Sequence, residues 1–474
     1  MTDLPVPQVL RRLHTDEFDA VPYDSRLRRV ALTARDRIPD LARRLNVALA
    51  PFAFDRRATA LSLELLNNAH GDRFYALERD AASDEAAAAA SFAGRSPVID
   101  VQTHIIDEKL WAGPMVEALS GFNAMVDPDR WSEGLDPRMA DAAMWAALVF
   151  GSSETAVALL TSTPGKPGEN ILENGQIAAV RDVVERYAGT GRLLSHTIIH
   201  PNLGRDEIDA MPDHVRNLRP SAWKVYTMYG PPTKYAPEGG WFLDDEEIGG
   251  PFLDQVMRCG GPRIVCSHKG LGGPIPSASV KSTSPRDVGP AAKAFPEINF
   301  IIYHSGYERN PHGEEGPLDE RNPTGVDRLV LSAREAGIGH DANIYAELGS
   351  TWFLILRRPV EAAHVLGKLL KQFGPNRILW GTDSTWYGSP QSLIDAFRAF
   401  TIPERMQEEF GYPALTAEIK DRILTHNAAA LYGIDIADVA GRLAGMSPDW
   451  TARAAPALYA ALDASRIGTP VPRL

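Results

Sequence analysis

Eight positions in this chain carry side chains that could hold a metal ion or move a proton, and each falls within or at the end of a short apolar run. Gln102 and His104 lie in Pro-Val-Ile-Asp-Val-Gln-Thr-His-Ile-Ile. His200, Lys224, His268, His304, Glu347 and Asp383 each close or sit in a later run. Side chains two apart on a strand share a face, so Gln102 and His104 point the same way, with Asp100 one step deeper. Imidazole and carboxylate are the usual ligands of first-row metals, and an amide oxygen or a lysine can join them. A strand-terminal histidine can equally be a satisfied core residue. The case for a shared metal site rests on the set: six of the eight predicted strands end in His, Glu or Asp. Lys224 fits either a carbamylated bridging ligand or a free cation that orients substrate.

The elements that must bring these residues together read as eight apolar strands. They fall near residues 98–106, 155–163, 193–200, 222–227, 263–268, 298–304, 344–347 and 377–383. Helical patterns separate most of them, for example residues 177–187, 359–373 and 391–400. The alternation predicts an α/β fold, a (β/α)8 TIM barrel, whose strands converge on one site at their C-terminal rim. Residues 1–95 read as an accessory helical segment, with patterns over 40–49 and 58–68 and an alanine run, 86–90, capped near Ser83, Asp84 and Glu85. Residues 96–435 would form the barrel and 436–474 a C-terminal helical extension. His196, His312, His340 and His426 fit no strand end and read as surface or packing residues. Lys269, Lys281 and Arg286 could meet phosphate, but the glycines near them lack P-loop spacing, and a solvated basic face is the plainer expectation.

The formal charge of -12 argues against nucleic acid as a partner. A 44% hydrophobic and 23% charged composition is that of a globular protein. Two cysteines, Cys259 and Cys266, make no disulfide or zinc framework. With no apolar run long enough for a bilayer and no secretion signal, a cytoplasmic protein with no membrane partner is expected.

At Ile-Asp-Val-Gln-Thr-His, Ser-His-Lys-Gly, Tyr-His-Ser-Gly, Leu-Trp-Gly-Thr-Asp and Ile-Leu-Thr-His-Asn-Ala-Ala-Ala-Leu-Tyr-Gly-Ile, the chain resembles the amidohydrolase superfamily. Within it, the resemblance is to the branch of aminocarboxymuconate-semialdehyde and related decarboxylases, over about residues 98–434. It implies His104, His268 and Asp383 as metal ligands and His304 as second-metal ligand or general base. It places Lys224 on the strand that bears the bridging lysine of two-metal members. The family pattern on the first strand is His-x-His, and here Gln102 stands first. This variant resembles the barrel-type nonheme diiron monooxygenases of bacterial diterpenoid (platensimycin and platencin) biosynthesis.

That resemblance implies two iron ions held by Gln102, His104, His200, Lys224, His268, His304, Glu347 and Asp383, with His304, Asp383 and Lys224 catalytic. It implies hydroxylation of a bulky apolar, CoA-linked small molecule, with a ferredoxin and its reductase as electron donors. The loop aromatics Trp111, Trp131, Tyr226, Trp352, Trp386 and Tyr387 would line the substrate. The alternatives are a hydrolase in which zinc or another divalent metal lowers the pKa of water, and Asp383 or His304 takes the proton, or a nonoxidative decarboxylase. A barrel without metal, serving as a scaffold, is the non-enzymatic alternative. A homo-oligomer is expected.

Overall fold

The computed structural model describes residues 7–10, 24–107, 141–163, 170–189, 191–271, 280–308, 315–384 and 388–464. Eight strands run β1 Val98–His104, β2 Thr155–Thr161, β3 Leu193–Ile198, β4 Ala222–Tyr226, β5 Ile264–His268, β6 Asn299–Tyr303, β7 Ile344–Glu347 and β8 Ile378–Leu379. They pair in sequence order, all parallel. Helices follow most strands, and the result is the expected (β/α)8 barrel. The strands are apolar on both faces because helices cover the outside and side chains fill the inside.

The eighth strand is far shorter than its apolar run. After Leu379 the chain departs from a regular ladder, yet it still closes the barrel. Val101 N–H donates to the Trp380 carbonyl at 3.0 Å, Asp383 N–H to the Gln102 carbonyl at 2.9 Å, and His104 N–H to the Ser384 carbonyl at 2.6 Å. Asp100 adds a side-chain link, accepting from the Thr382 N–H at 2.9 Å and from its hydroxyl. Burial pushes the Asp100 carboxyl up to about 7.

The N-terminal region is helical, with boundaries different from the apolar pattern. One helix, Ser25–Arg44, is capped by Asp24, whose side chain accepts from the Leu27 N–H. It buries Leu27, Val30, Ala34, Ile38 and Leu41, and the chain turns at Asn46 with φ 54° instead of continuing to residue 49. Helix Arg56–His70 is capped by Asp55 and stopped by Gly71 at φ 65°. Asp84 caps Glu85–Ser91, the alanine run. Arg56 ties this region to helix Gln391–Ala399 by an ion pair to buried Asp395 at 3.1 Å.

The C-terminal helix Trp450–Ala464 packs into the core of the barrel's first half. Trp450, Ala454, Leu458 and Leu462 share a cluster with Trp145, Leu160 and Leu193. The buried Gln176 amide donates to Asp107 Oδ2 at 2.8 Å and to the Leu462 carbonyl at 3.0 Å, joining that helix to the segment leaving β1. No helix among the described residues is long and apolar enough to cross a membrane.

Below the rim lies a buried polar chain. The Tyr303 hydroxyl gives its one proton to the Val101 carbonyl at 3.0 Å, so His196 Nδ1–H must donate to Tyr303 at 3.0 Å. His196 Nε2 then accepts from the Tyr432 hydroxyl at 3.1 Å. Burial drives the His196 imidazole down to about 3. Packing, as the sequence suggests, is its role.

Candidate metal centre

Parallel barrel strands end on one rim, and the candidate ligands arrive there fully buried: Gln102, His104, Lys224, His268, His304, Glu347 and Asp383 all have 0% exposure. Two groups of donor atoms form. In the first, Asp383 Oδ1 lies 2.9 Å from His104 Nε2 and 2.8 Å from the Gln102 amide nitrogen, which itself lies 3.4 Å from His104 Nε2. In the second, His268 Nδ1 and His304 Nε2 are 3.2 Å apart.

These spacings test the fit to a metal. Bonds of roughly 2.1 Å at octahedral or tetrahedral angles put neighbouring ligand atoms about 3.0–3.4 Å apart. The triangle on Asp383, His104 and Gln102, with edges of 2.8, 2.9 and 3.4 Å, comes close to that range. The nitrogen and oxygen ends of an amide have the same shape, so turning the Gln102 amide over puts Oε1 at the third corner. In the present orientation Gln102 Oε1 is buried without a hydrogen-bond partner. Among the described residues no three His, Cys, Asp or Glu side chains form a metal-binding group by themselves. The first group reaches three donors only through the amide. The residues present therefore fit a divalent cation, with Gln102 the member that sets this site apart.

His304 has a defined proton position. A carbonyl only accepts, so the 2.7 Å contact to the Gly349 carbonyl puts the proton on Nδ1 and leaves the Nε2 lone pair facing His268. Glu347 stands between the two groups, in electrostatic reach of both His304 and Asp383. Its Oε2 accepts from the His304 N–H at 3.0 Å and its Oε1 from the Gly349 N–H at 2.5 Å, which ties the β6 and β7 ends together. Burial pushes its carboxyl up to about 7.

Lys224 places Nζ 3.5 Å from the Tyr303 ring centroid and 4.4 Å from that of Tyr226. The Tyr226 ring stacks on His268 at 5.1 Å, and its hydroxyl donates to the Ser162 carbonyl. An ammonium held over two aromatic faces is attracted by both rings.

Other expectations meet a different structure. His200 is buried at the end of β3, but its ring lies against Tyr229 at 5.0 Å, and no described hydrogen bond or ring contact joins it to the two donor groups. Burial lowers its pKa to about 4. Trp352 is not a substrate contact but core: its indole N–H donates to the Leu393 carbonyl, and its ring meets Phe397 and Phe400 edge-on. A helix, Thr351–Ile355, starts directly after the β7 turn and carries the ring inward. Trp111, Trp131, Trp386, Tyr387 and His312 lie outside the described residues. Lys269 is no solvated residue: it is fully buried, paired to Asp287 at 2.7 Å and donating to the Ser282 carbonyl.

The residues that the strand-end pattern misses are in the turn after β7. Gly349 supplies the carbonyl that fixes His304. Ser350 donates its hydroxyl to Asp383 Oδ2, and Thr351 donates to the His304 carbonyl at 2.8 Å. The only sequence signal is that Gly-Ser-Thr stands one residue, Leu348, past the strand ending in Glu347. Strained backbone concentrates at this rim: φ is positive at His304 (63°), Ser305 (53°), Ser350 (53°) and Asp383 (60°).

The family model described as amidohydrolase matches residues 263–434, which run from β5 through the helices that follow β8, to just past Tyr432. No curated protein matches the chain. Among solved structures, the chain is similar to a 2,6-dihydroxybenzoate decarboxylase complexed with 2,6-dihydroxybenzoate, at 14% identity and a TM-score of 0.42, over 72% of this chain and 100% of that one. It is similar to 5-carboxyvanillate decarboxylase from Sphingomonas paucimobilis, at 12% identity and a TM-score of 0.42, over 72% and 100%. A third is the 5-carboxyvanillate decarboxylase of Novosphingobium aromaticivorans complexed with manganese, at 13% identity and a TM-score of 0.40, over 71% and 96%.

Proposed function

We propose that this amidohydrolase-type barrel is a divalent-metal enzyme that hydrolyses or nonoxidatively decarboxylates an anionic small molecule. The observation that carries the reading is the buried triangle of Gln102, His104 and Asp383 donors beside the His268–His304 pair. The match of residues 263–434 to amidohydrolases supports it. Gln102, His104 and Asp383 would hold one cation, and His268 and His304 would contribute to a second or complete the first. A bound divalent ion would supply Lewis acidity toward a carboxyl or acyl oxygen and lower the pKa of water.

The remaining work falls to the chain's own groups. Asp383, held on Oδ2 by Ser350, presents Oδ1 in a fixed direction and serves as proton acceptor. His304, with Nδ1–H committed to Gly349, offers Nε2 as ligand or base. Lys224, fixed against Tyr226 and Tyr303, supplies the cation that orients the substrate's negative group. Full burial of these groups excludes bulk water and strengthens each electrostatic contact.

A second reading, a nonheme diiron monooxygenase drawing electrons from a ferredoxin and its reductase, draws on one observation: an amide stands where the histidine-rich pattern has imidazole. The same experiment separates the two. Metal analysis of purified protein, followed by turnover of candidate carboxylates with and without oxygen, is expected to give zinc or manganese and oxygen-independent product. Two irons and reductant-dependent oxygen uptake would replace the first reading with the second. Failure to take up any metal would refute both.

A further inference from the structure

The turn Gly349-Ser350-Thr351 touches both donor groups without containing a donor of its own. Its three residues make four contacts in different directions. The Gly349 N–H holds Glu347 Oε1, the Gly349 carbonyl holds His304 Nδ1, the Ser350 hydroxyl holds Asp383 Oδ2, and the Thr351 hydroxyl holds the His304 carbonyl. We propose that this turn is the positioning element of the metal centre, and that Ser350 is the residue that aims Asp383 at its cation. The inference rests on the metal-enzyme reading above.

Two features favour that role over a plain turn. A serine in a turn ordinarily bonds its own nearby backbone. Here the hydroxyl reaches across to the segment after β8, 33 residues away, and meets a carboxylate that is fully buried. Ser350 also holds φ at 53°, a conformation that glycine adopts without strain. If the chain only had to turn, the side chain would be a cost with no return. With it, Asp383 has one oxygen occupied by Ser350 and the other turned to Gln102 and His104, so the carboxylate meets a cation through Oδ1 alone. Asp383 itself holds φ at 60°, so two strained residues brace one another across the β7–β8 gap.

The test uses the full chain, stripped of metal, with Mn²⁺ and Zn²⁺ titrated by calorimetry into wild type, Ser350→Ala and Ser350→Gly. Alanine removes the hydroxyl and keeps the backbone strain, whereas glycine removes both. Loss of an outer partner of a ligand weakens metal binding by about 10–100-fold. Both variants are expected to lose affinity by about that factor and to the same extent, while the thermal midpoint of the metal-free protein is higher for glycine than for alanine. If affinity instead follows the thermal midpoint, with glycine binding like wild type, Ser350 acts only through the backbone and the proposal falls. Wild-type affinity in both variants also overturns it. If wild type itself takes up neither metal, the metal-enzyme reading fails, and this inference fails with it.

Discussion

Replacing Gly349 with alanine puts a numerical load on the wall behind the donor groups. A Cβ at this position would lie 2.2 Å from Gln102 Oε1 and 2.6 Å from Glu347 Oε1, so each oxygen would have to retreat by about 1 Å or less. Neither has an easy route. Glu347 is held by two main-chain N–H groups and Gln102 by Asp383. Overpacking of this kind costs about 1–3 kcal/mol. Breaking the Glu347 bond to the Gly349 N–H leaves a buried donor unpaired, for about 1–3 kcal/mol more. The expected loss is then about 2–6 kcal/mol. A chain of 474 residues unfolds with an entropy of about 1 kcal/mol/K, so the thermal midpoint should fall by roughly 2–6 °C. Calorimetry of the metal-free protein reads this directly, and metal titration of the same sample should show weakened binding, since Gln102 is displaced. A midpoint within about 1 °C of wild type, with metal affinity unchanged, would mean that Gln102 and Glu347 can step aside freely. The reasoning about a locked wall would then be wrong.

Other outcomes follow from the same structure. Tyr432→Phe leaves buried His196 Nε2 without its donor and should cost about 1–3 kcal/mol in urea unfolding, with metal uptake unchanged. Gly441→Ala, within helix Ile436–Ala444 and with open space around the new Cβ, should stabilise by about 0.5–1 kcal/mol; a lower unfolding midpoint would contradict the helix placement. His200 has a folded pKa of about 4 against 6.5 for the free group, so the unfolded chain takes up its proton first. Its contribution is present above pH 6.5 and is lost as pH falls toward 4, at up to about 1.4 kcal/mol per pH unit. The stability of metal-free His200→Gln, relative to wild type, should therefore improve between pH 7 and pH 5; a constant difference would refute neutral burial of this ring.

The strand-end reading works where a side chain's direction follows from local alternation. His268 ends β5 and is found at the rim, and Gln102 and His104 leave β1 together. It fails where direction is set by distant partners. Nothing in Gly349-Ser350-Thr351 announces that three short residues brace two separate groups, because the bonds to His304 and Asp383 run to residues 33 to 47 positions away, beside neighbouring strands. Trp380 and Asp383 extend an apolar run that looks like a strand, but the ladder there yields to irregular closure against β1. Lys269 reads as a solvated cation because its counter-ion, Asp287, lies 18 residues on. Trp352 reads as a loop aromatic because a helix starting at Thr351 is too short to show a period of its own.

The single amide of Gln176 has a mechanical corollary. It holds the Leu462 carbonyl with one contact and Asp107 with another, three residues past His104. A fusion partner or surface tether attached beyond the last helix would pull on that amide as on a lever, whose short arm ends beside the strand bearing Gln102 and His104. Part of a load applied there would thus pass, beside the helix's own apolar packing, into the segment that leaves the ligand-bearing strand.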